Sequence, residues 1–331
     1  SEFDNLDEDI DGVLINSENF GALNLLQDRY KEQIKTVYID PPYNTGNDGF
    51  LYNDTYQHSS WMSFMYDRLS LGRELMSEDG VIFSSIGDEE YCNLDSVQQQ
   101  VFGGFNRIDT TARISKTASN LGTHFASSID YLLTFAKKID KLKSFRADVD
   151  ESLYKKVEKD GPRKGDKYRD DIALYQSSLK DVRPGQKYFI DCPDGSKVIP
   201  PCKILDEVQR EGEKRWRWTR PRYLKDIDLL VFKETKSSPL LDENGNQSKW
   251  NIYTKSYLSD RQEEGTKPRN FFDGFINRKG ADLLKKMGID FTFSKPIELI
   301  SFLLKITNTK TTTLDFFAGS GTTGHSVINL N

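Results

Sequence analysis

Asp40-Pro41-Pro42-Tyr43 is the segment of this chain whose residue types are best placed to do chemistry. An exocyclic amine on a nucleic-acid base is a poor nucleophile, because its lone pair is delocalised into the ring. A carboxylate and a rigidly aimed backbone carbonyl can accept its two N–H groups and favour a pyramidal nitrogen with a directed lone pair. Asp40 supplies the first acceptor and the Pro41 carbonyl the second. Pro41 and Pro42 fix the backbone, and Tyr43 offers a ring face on which an extruded base can stack. Such stacking contributes on the order of 1–3 kcal/mol per base. Taken singly, the segment also reads as a strand ending in a proline turn with a surface tyrosine.

A second candidate runs from Leu314 to Gly324 as Leu-Asp-Phe-Phe-Ala-Gly-Ser-Gly-Thr-Thr-Gly, a strand entering a glycine loop and then a helix start. The glycines let the backbone come close to a ligand, and the amides of a helix start suit a carboxylate or phosphate. Gly319, Gly321 and Gly324 also fit the dinucleotide fingerprint, a weak signal alone. A Walker phosphate loop is excluded because no Lys follows the glycines. A nicotinamide site needs an acid about 20 positions later, and the sequence stops at Asn331. A glycine-rich turn without a ligand is the plain alternative.

The elements that must position these loops follow from apolar periodicity. Short strands are expected at Val13-Leu14-Ile15, at Thr36 to Ile39, at Val81-Ile82-Phe83 and from Thr313 to Phe317. Helical spacing relates Phe20, Leu23, Leu25 and Leu26, and again Trp61, Phe64, Met65, Leu69 and Leu75, the second helix capped by Ser59 or Ser60. Asp88-Glu89-Glu90 places carboxylates at the next helix start. Strands separated by helices imply a parallel sheet covered on both faces.

From about Lys137 to Asn270 Lys and Arg are dense, turns are frequent and helical periodicity is weak, as expected of an inserted domain. Within it, Lys214-Arg215-Trp216-Arg217-Trp218-Thr219-Arg220-Pro221-Arg222-Tyr223 alternates guanidinium and aromatic groups. That pattern suits phosphate contact with base or sugar packing. As a strand it would set Arg on one face and Trp on the other, which leaves a half-buried strand with a solvated basic face as the bland reading. Lys137, Lys138, Lys141, Lys143 and Arg146 read as a solvated charge run.

The 331 residues exceed one typical domain, and 36% hydrophobic with 29% charged residues describes a globular protein. The net charge of -5 gives no whole-chain attraction to nucleic acid, so any such partner must meet a local basic face. Cys92, Cys192 and Cys202 are too few and too irregular for a disulfide framework or a zinc site, and no metal is expected. No apolar run approaches a membrane span. The N-terminus carries no secretory pattern, Ser1 to Phe3 reads as a cloning remnant, and a cytoplasmic address is expected.

Asp40 to Gly46, Gly80 to Ile86, Ser294-Lys295-Pro296-Ile297-Glu298-Leu299 and Asp315 to Thr323, in that order, resemble the motifs of the DNA amino-methyltransferases that place Asp-Pro-Pro-Tyr before Phe-x-Gly-x-Gly. The extended forms through Gly46 and Thr323 are similar to modification subunits of type III restriction systems, over residues 12–140 and 285–331.

The resemblance implies an α/β, Rossmann-like, S-adenosylmethionine-dependent methyltransferase fold with a parallel-rich central sheet. Residues 12–140 would be its catalytic half, 141–275 an inserted target-recognition region and 276–331 the cofactor-binding half. Asp40, Pro41 and Pro42 would orient the target amine, most simply N6 of adenine rather than N4 of cytosine, and Tyr43 would stack the flipped base. Asp315, Phe316, Phe317, Ala318, Gly319, Gly321, Thr322 and Thr323 would hold S-adenosylmethionine, with Lys295 and Pro296 opening a helix beside its methionine end. Asn44 would face double-stranded DNA, as would Lys214, Arg215, Arg217, Arg220 and Arg222 on the basic and aromatic pattern of the inserted region, which the resemblance does not cover. The family's ribose-binding acid belongs to a strand after the glycine-loop helix, so a chain truncated at Asn331 is expected. The resemblance also implies a homodimer and a helicase-nuclease partner subunit. A DNA-recognition subunit without transfer activity is the competing reading.

Overall fold

The computed structural model describes residues 11–46, 54–117, 124–291, 293–307 and 312–331. The chain forms two compact units, one from residues 1–147 and 267–331 and the other from residues 148–266.

The first unit begins with α1 (Asn19–Tyr30), β1 (Ile34–Ile39), α2 (His58–Leu75), β2 (Met76–Ile86), α3 (Tyr91–Phe102), β3 (Arg107–Ile114) and β4 (Ile129–Ala136). After the second unit the chain returns as β5 (Phe271–Phe272), α4 (Asn277–Lys286), α5 (Ile297–Ile306), β6 (Thr313–Leu314) and α6 (Thr322–Leu330). The strands form one sheet in the order β5-β3-β4-β2-β1-β6. Every pairing is parallel except those of β4, which runs against both neighbours.

Strand alternation sends side chains to both faces, and both are covered. On one side Val37, Ile39 and Ile82 pack with Leu23, Trp61, Met65, Leu69, Leu94 and Val97 from the first three helices. On the other, Tyr38, Val81 and Phe83 pack with Leu299, Ile300 and Leu303 of α5. Each such fully buried aliphatic side chain contributes roughly 1.5–3 kcal/mol. β1 stops where Pro41 and Pro42 can no longer donate to a ladder.

Several expectations need correction. Val13-Leu14-Ile15 forms no strand; it finds no partner among the described residues, and Leu14 is 86% exposed. The second helix starts at His58 after Gln57, so neither Ser59 nor Ser60 caps it. The last strand ends at Leu314, because the Asp315 carboxylate takes the Phe317 N–H at 2.9 Å and turns the chain out of the ladder. Lys137 is not solvated: its ammonium is buried and donates to the Met76 carbonyl at 2.6 Å. Residues 141–147 and 267–275, basic or turn-rich in sequence, pack in the first unit, where Leu142, Phe145, Phe272 and Phe275 join the α5 face of the sheet.

The second unit holds a four-stranded antiparallel sheet of Lys156–Val157, Lys167–Ala173, Trp250–Tyr257 and Leu230–Glu234, and a three-stranded one of Leu241–Asp242, Lys197–Ile199 and Ile190–Asp191. Its core gathers Leu174, Tyr188, Val198, Trp216, Leu240 and Ile252. No helix of the described residues is long and apolar enough to cross a membrane.

Candidate active site

β1 and β6 lie side by side and parallel, with Thr36 opposite Thr313 and Val37 opposite Leu314. Both therefore release the chain at the same sheet edge, the edge where open α/β sheets bind ligands. The Asp40 loop and the Asp315 loop, at opposite ends of the sequence, become neighbours there.

Lys295 joins them. Its ammonium donates to both Asp40 carboxylate oxygens, at 2.7 and 2.6 Å, and lies 4.9 Å from the Tyr43 ring centroid. The Lys295 side chain is only 7% exposed, so water screens the pair little. Pro296 caps α5 immediately after it. Gly280 on α4 permits this placement, since a Cβ there would sit 2.6 Å from the Lys295 carbonyl oxygen and 2.8 Å from Ser294 Oγ.

The loop after Asp40 is fastened along its length. Trp61 Nε1 donates to the Pro42 carbonyl at 2.9 Å, which sets the inward-facing side of the turn. Asn44, with φ of 58°, accepts the Tyr56 N–H at 2.6 Å and donates to the Tyr56 carbonyl at 2.9 Å and to Glu90 Oε1 at 2.6 Å. Buried Asp54 accepts the backbone N–H groups of Asn44 and Thr45 at 2.7 and 3.0 Å. Asn44 was expected to face DNA, but its amide is spent on closing its own loop. Glu90 is fully buried beneath it and also accepts from Asn93 at 2.6 Å and contacts His58 Nδ1 at 2.7 Å.

The Tyr43 ring rests against Gly87, where a Cβ would come within 2.8 Å of it. Its hydroxyl points to Asp130 at 3.4 Å, and Asp130 is paired with buried Arg113. Desolvation, with the Asp40 and Asp130 carboxylates adding repulsion, pushes the Tyr43 phenol well above its ordinary range, so it stays neutral. Motif reading passes over Arg113, Asp130, Asp54 and Glu90. The available signal was a single charge inside an otherwise apolar strand, as at Asp130 in Ile129-Asp130-Tyr131-Leu132-Leu133.

In the second loop, Asp315 accepts from the Phe317 N–H and from Thr323 Oγ1, at 2.9 and 2.6 Å, and so closes the loop at its base. Desolvation raises its carboxyl to about 6. The Phe316 ring fills the space left by Gly72, where a Cβ would meet it at 3.0 Å. Phe317 packs on Phe64 at 5.9 Å between centroids. Gly319 and Gly321 have φ of 52° and 78°, and Gly321 caps α6, so glycine is required at both. Ala318 accepts the Gly321 N–H at 2.8 Å, and the Ser320 and Thr322 hydroxyls meet at 3.0 Å. The residues suit a ligand with a carboxylate or polar sugar: an open-backed glycine turn leads into the amide-bearing end of a helix, beside a buried cation.

In the second unit the segment around Trp216 is not one long strand. Pro221 starts a short helix, Arg220–Lys225, because its fixed φ suits a first helical turn. Arg215 is buried, donating to Asp181 Oδ1 at 2.6 Å and Gln186 Oε1 at 2.7 Å, and so serves the core of that unit instead of an outer face. Lys214 donates to the Ser177 carbonyl. Arg217, Arg220 and Arg222 are exposed, Arg222 lying over the Trp218 ring at 4.6 Å and Arg220 pairing with Glu207. Trp216 and Trp218 are both buried.

The sheet with one reversed strand thus carries both motif loops at one edge, with the largely buried Lys295 paired to Asp40 between them, an α/β arrangement of the methyltransferase type. A family model described as DNA methylase, of the N6/N4 methyltransferase group, matches residues 34–331, and the chain belongs to that family.

Its relatives include the type III restriction-modification enzyme EcoPI Mod subunit of Escherichia phage P1, 29% identical over 96% of this chain and 55% of that protein. The EcoP15I Mod subunit of Escherichia coli is 28% identical over 96% of this chain and 56% of its own length. The chain thus spans about half the length of the curated relatives it matches. Among solved structures, the cytosine-N4-specific PvuII DNA methyltransferase aligns with a TM-score of 0.44 at 11% identity, over 93% of this chain and 76% of that one.

Proposed function

We propose that this chain carries the transfer centre of a DNA methyltransferase that moves a methyl group from S-adenosylmethionine to N6 of an adenine turned out of the duplex. What carries the reading is the side-by-side exit of the Asp40 and Asp315 loops from neighbouring parallel strands. On this reading an amine-orienting site would lie next to a cofactor-binding turn. Asp40 and the Pro41 carbonyl accept the two N–H groups of the amine, and Pro42, tied to Trp61, keeps that carbonyl aimed. Tyr43, neutral and gripped at its edge by Gly87, takes the base on its face. Asp315 to Thr323 would hold the cofactor, which when bound supplies an electrophilic methyl group. Lys295, expected beside the methionine end, also neutralises Asp40, so the carboxylate acts as a hydrogen-bond acceptor.

The second unit is assigned to target recognition, with Arg217, Arg220 and Arg222 as its exposed phosphate contacts. By likeness to Mod subunits we further assign a role in a type III restriction-modification system, as a cytoplasmic homodimer that meets a helicase-nuclease subunit. Labelled S-adenosylmethionine and unmethylated DNA, followed by nucleoside analysis, test the activity. N6-methyladenine is expected; N4-methylcytosine would change the base, and DNA binding without any incorporation would favour recognition without transfer.

A further inference from the structure

Tyr43 is held on three sides. The Lys295 ammonium lies 4.9 Å from its centroid, Gly87 abuts its edge, and the Asp130 carboxylate faces its hydroxyl at 3.4 Å. Asp130 does not act alone. Arg113, 2% exposed, pairs with the same Asp130 oxygen and donates through its other nitrogen to the Phe275 carbonyl at 2.6 Å and Asn277 Oδ1 at 2.8 Å. Asn277 is itself tied by its N–H to the Ser115 carbonyl at 2.8 Å. A chain of fixed polar groups therefore runs from the start of α4, through a buried ion pair, to the phenol.

Burying two charges is costly, and well-packed apolar residues in their place are often as stable or more so. Stability alone therefore does not account for the pair. A ring that receives a flipped base gains from being set before the base arrives, because no ordering is left to the moment of reaction.

We propose that Asp130, held by Arg113, is a positioning residue that fixes the Tyr43 ring as the stacking surface of the site. The role assigned to that surface rests on the methyltransferase reading; the fixing of the ring does not.

The test uses the full chain with fluorotyrosine incorporated, wild type against Tyr43→Phe and against the paired replacement Asp130→Leu with Arg113→Met, which removes both charges and leaves neither stranded. The fluorine resonance missing from Tyr43→Phe identifies the ring. Its position is expected to move and its line to broaden in the paired variant. A Tyr43 resonance unchanged there overturns the proposal, whatever happens with DNA. In methyl transfer, each variant should lower kcat about tenfold, the scale of one lost side-chain hydrogen bond, with the cofactor KM unchanged. Combining them should cost no more than either alone, and additive losses would also overturn it. If wild type transfers no methyl group while the resonance responds as expected, the methyltransferase reading fails and the clamp stands.

Discussion

Asp315 holds its proton more firmly in the folded chain than in the unfolded one. Desolvation raises its carboxyl from 3.8 to about 6, the nearby Asp40 carboxylate adds to the rise, and hydrogen bonds from Thr323 and Phe317 oppose it. Because the folded value is the higher, the group's favourable contribution to stability is complete below pH 3.8 and is lost as pH rises through about 6. Asp315→Asn removes that term. Between about pH 4 and about pH 7, denaturant titration should show the variant gaining stability relative to wild type as pH rises. Equal pH trends in the two proteins would mean that the carboxyl does not titrate in this window. Asp40→Ala should abolish methyl transfer while calorimetry still detects S-adenosylmethionine, and a bulky residue at Gly319 should weaken cofactor binding first; the reverse pattern would reverse the two roles. Lys295→Met leaves Asp40 without its counterion. Turnover should fall about a hundredfold, as for a reacting group displaced by about an ångström. A cofactor affinity that falls as far as turnover would place Lys295 wholly on the cofactor side.

At the scale of elements, the site depends on how closely α4 and α2 approach the motif loops. Gly280→Ala would drive a Cβ to 2.6 Å from the Lys295 carbonyl. The expected cost is about 1–3 kcal/mol of stability together with a loss of turnover, because the segment between α4 and α5 that carries Lys295 must shift. Wild-type stability and turnover in that variant would mean that the segment relaxes without moving the ammonium. Trp61→Phe keeps an aromatic ring but removes the bond to the Pro42 carbonyl and the volume of the indole's second ring from a fully buried site. Urea unfolding should report a loss of about 2–4 kcal/mol, a cavity added to a lost hydrogen bond.

For the molecule as a whole, the basic groups of the second unit separate into structural and exposed sets. Arg217→Ala should weaken binding to every DNA sequence alike and reduce the salt slope of log Kd by about one, as for a single phosphate contact. An unchanged slope returns Arg217 to a solvated face. Arg215→Ala should instead destabilise the unit by about 1–3 kcal/mol, since Asp181 and Gln186 lose their donor.

Local chemistry made much of this legible in the sequence. Prolines after a β-branched run mark the end of β1, the glycine turn at Gly319 and Gly321 marks a left-handed backbone, and the unbroken apolar run Val37-Tyr38-Ile39 predicts a strand buried on both sides. The motifs and their order in the chain point to the family. What depended on partners far away in sequence was not legible. Val13-Leu14-Ile15 has the composition of a strand but no strand beside it, and Lys137 looks solvated until the Met76 carbonyl is brought to it. Asn44 and Arg215 have the residue types of DNA contacts, yet each is consumed by acceptors that only folding supplies. By itself the sequence determined the two loops and the conformations their prolines and glycines impose. Only the tertiary structure decided that Lys295 meets Asp40 and that Asp130 and Arg113 stand behind Tyr43, because hydrogen bonds and ion pairs need atoms within about 3 Å of each other, and residues so distant in the chain reach that separation only through the pairing of β1 with β6 and the packing of α4 and α5.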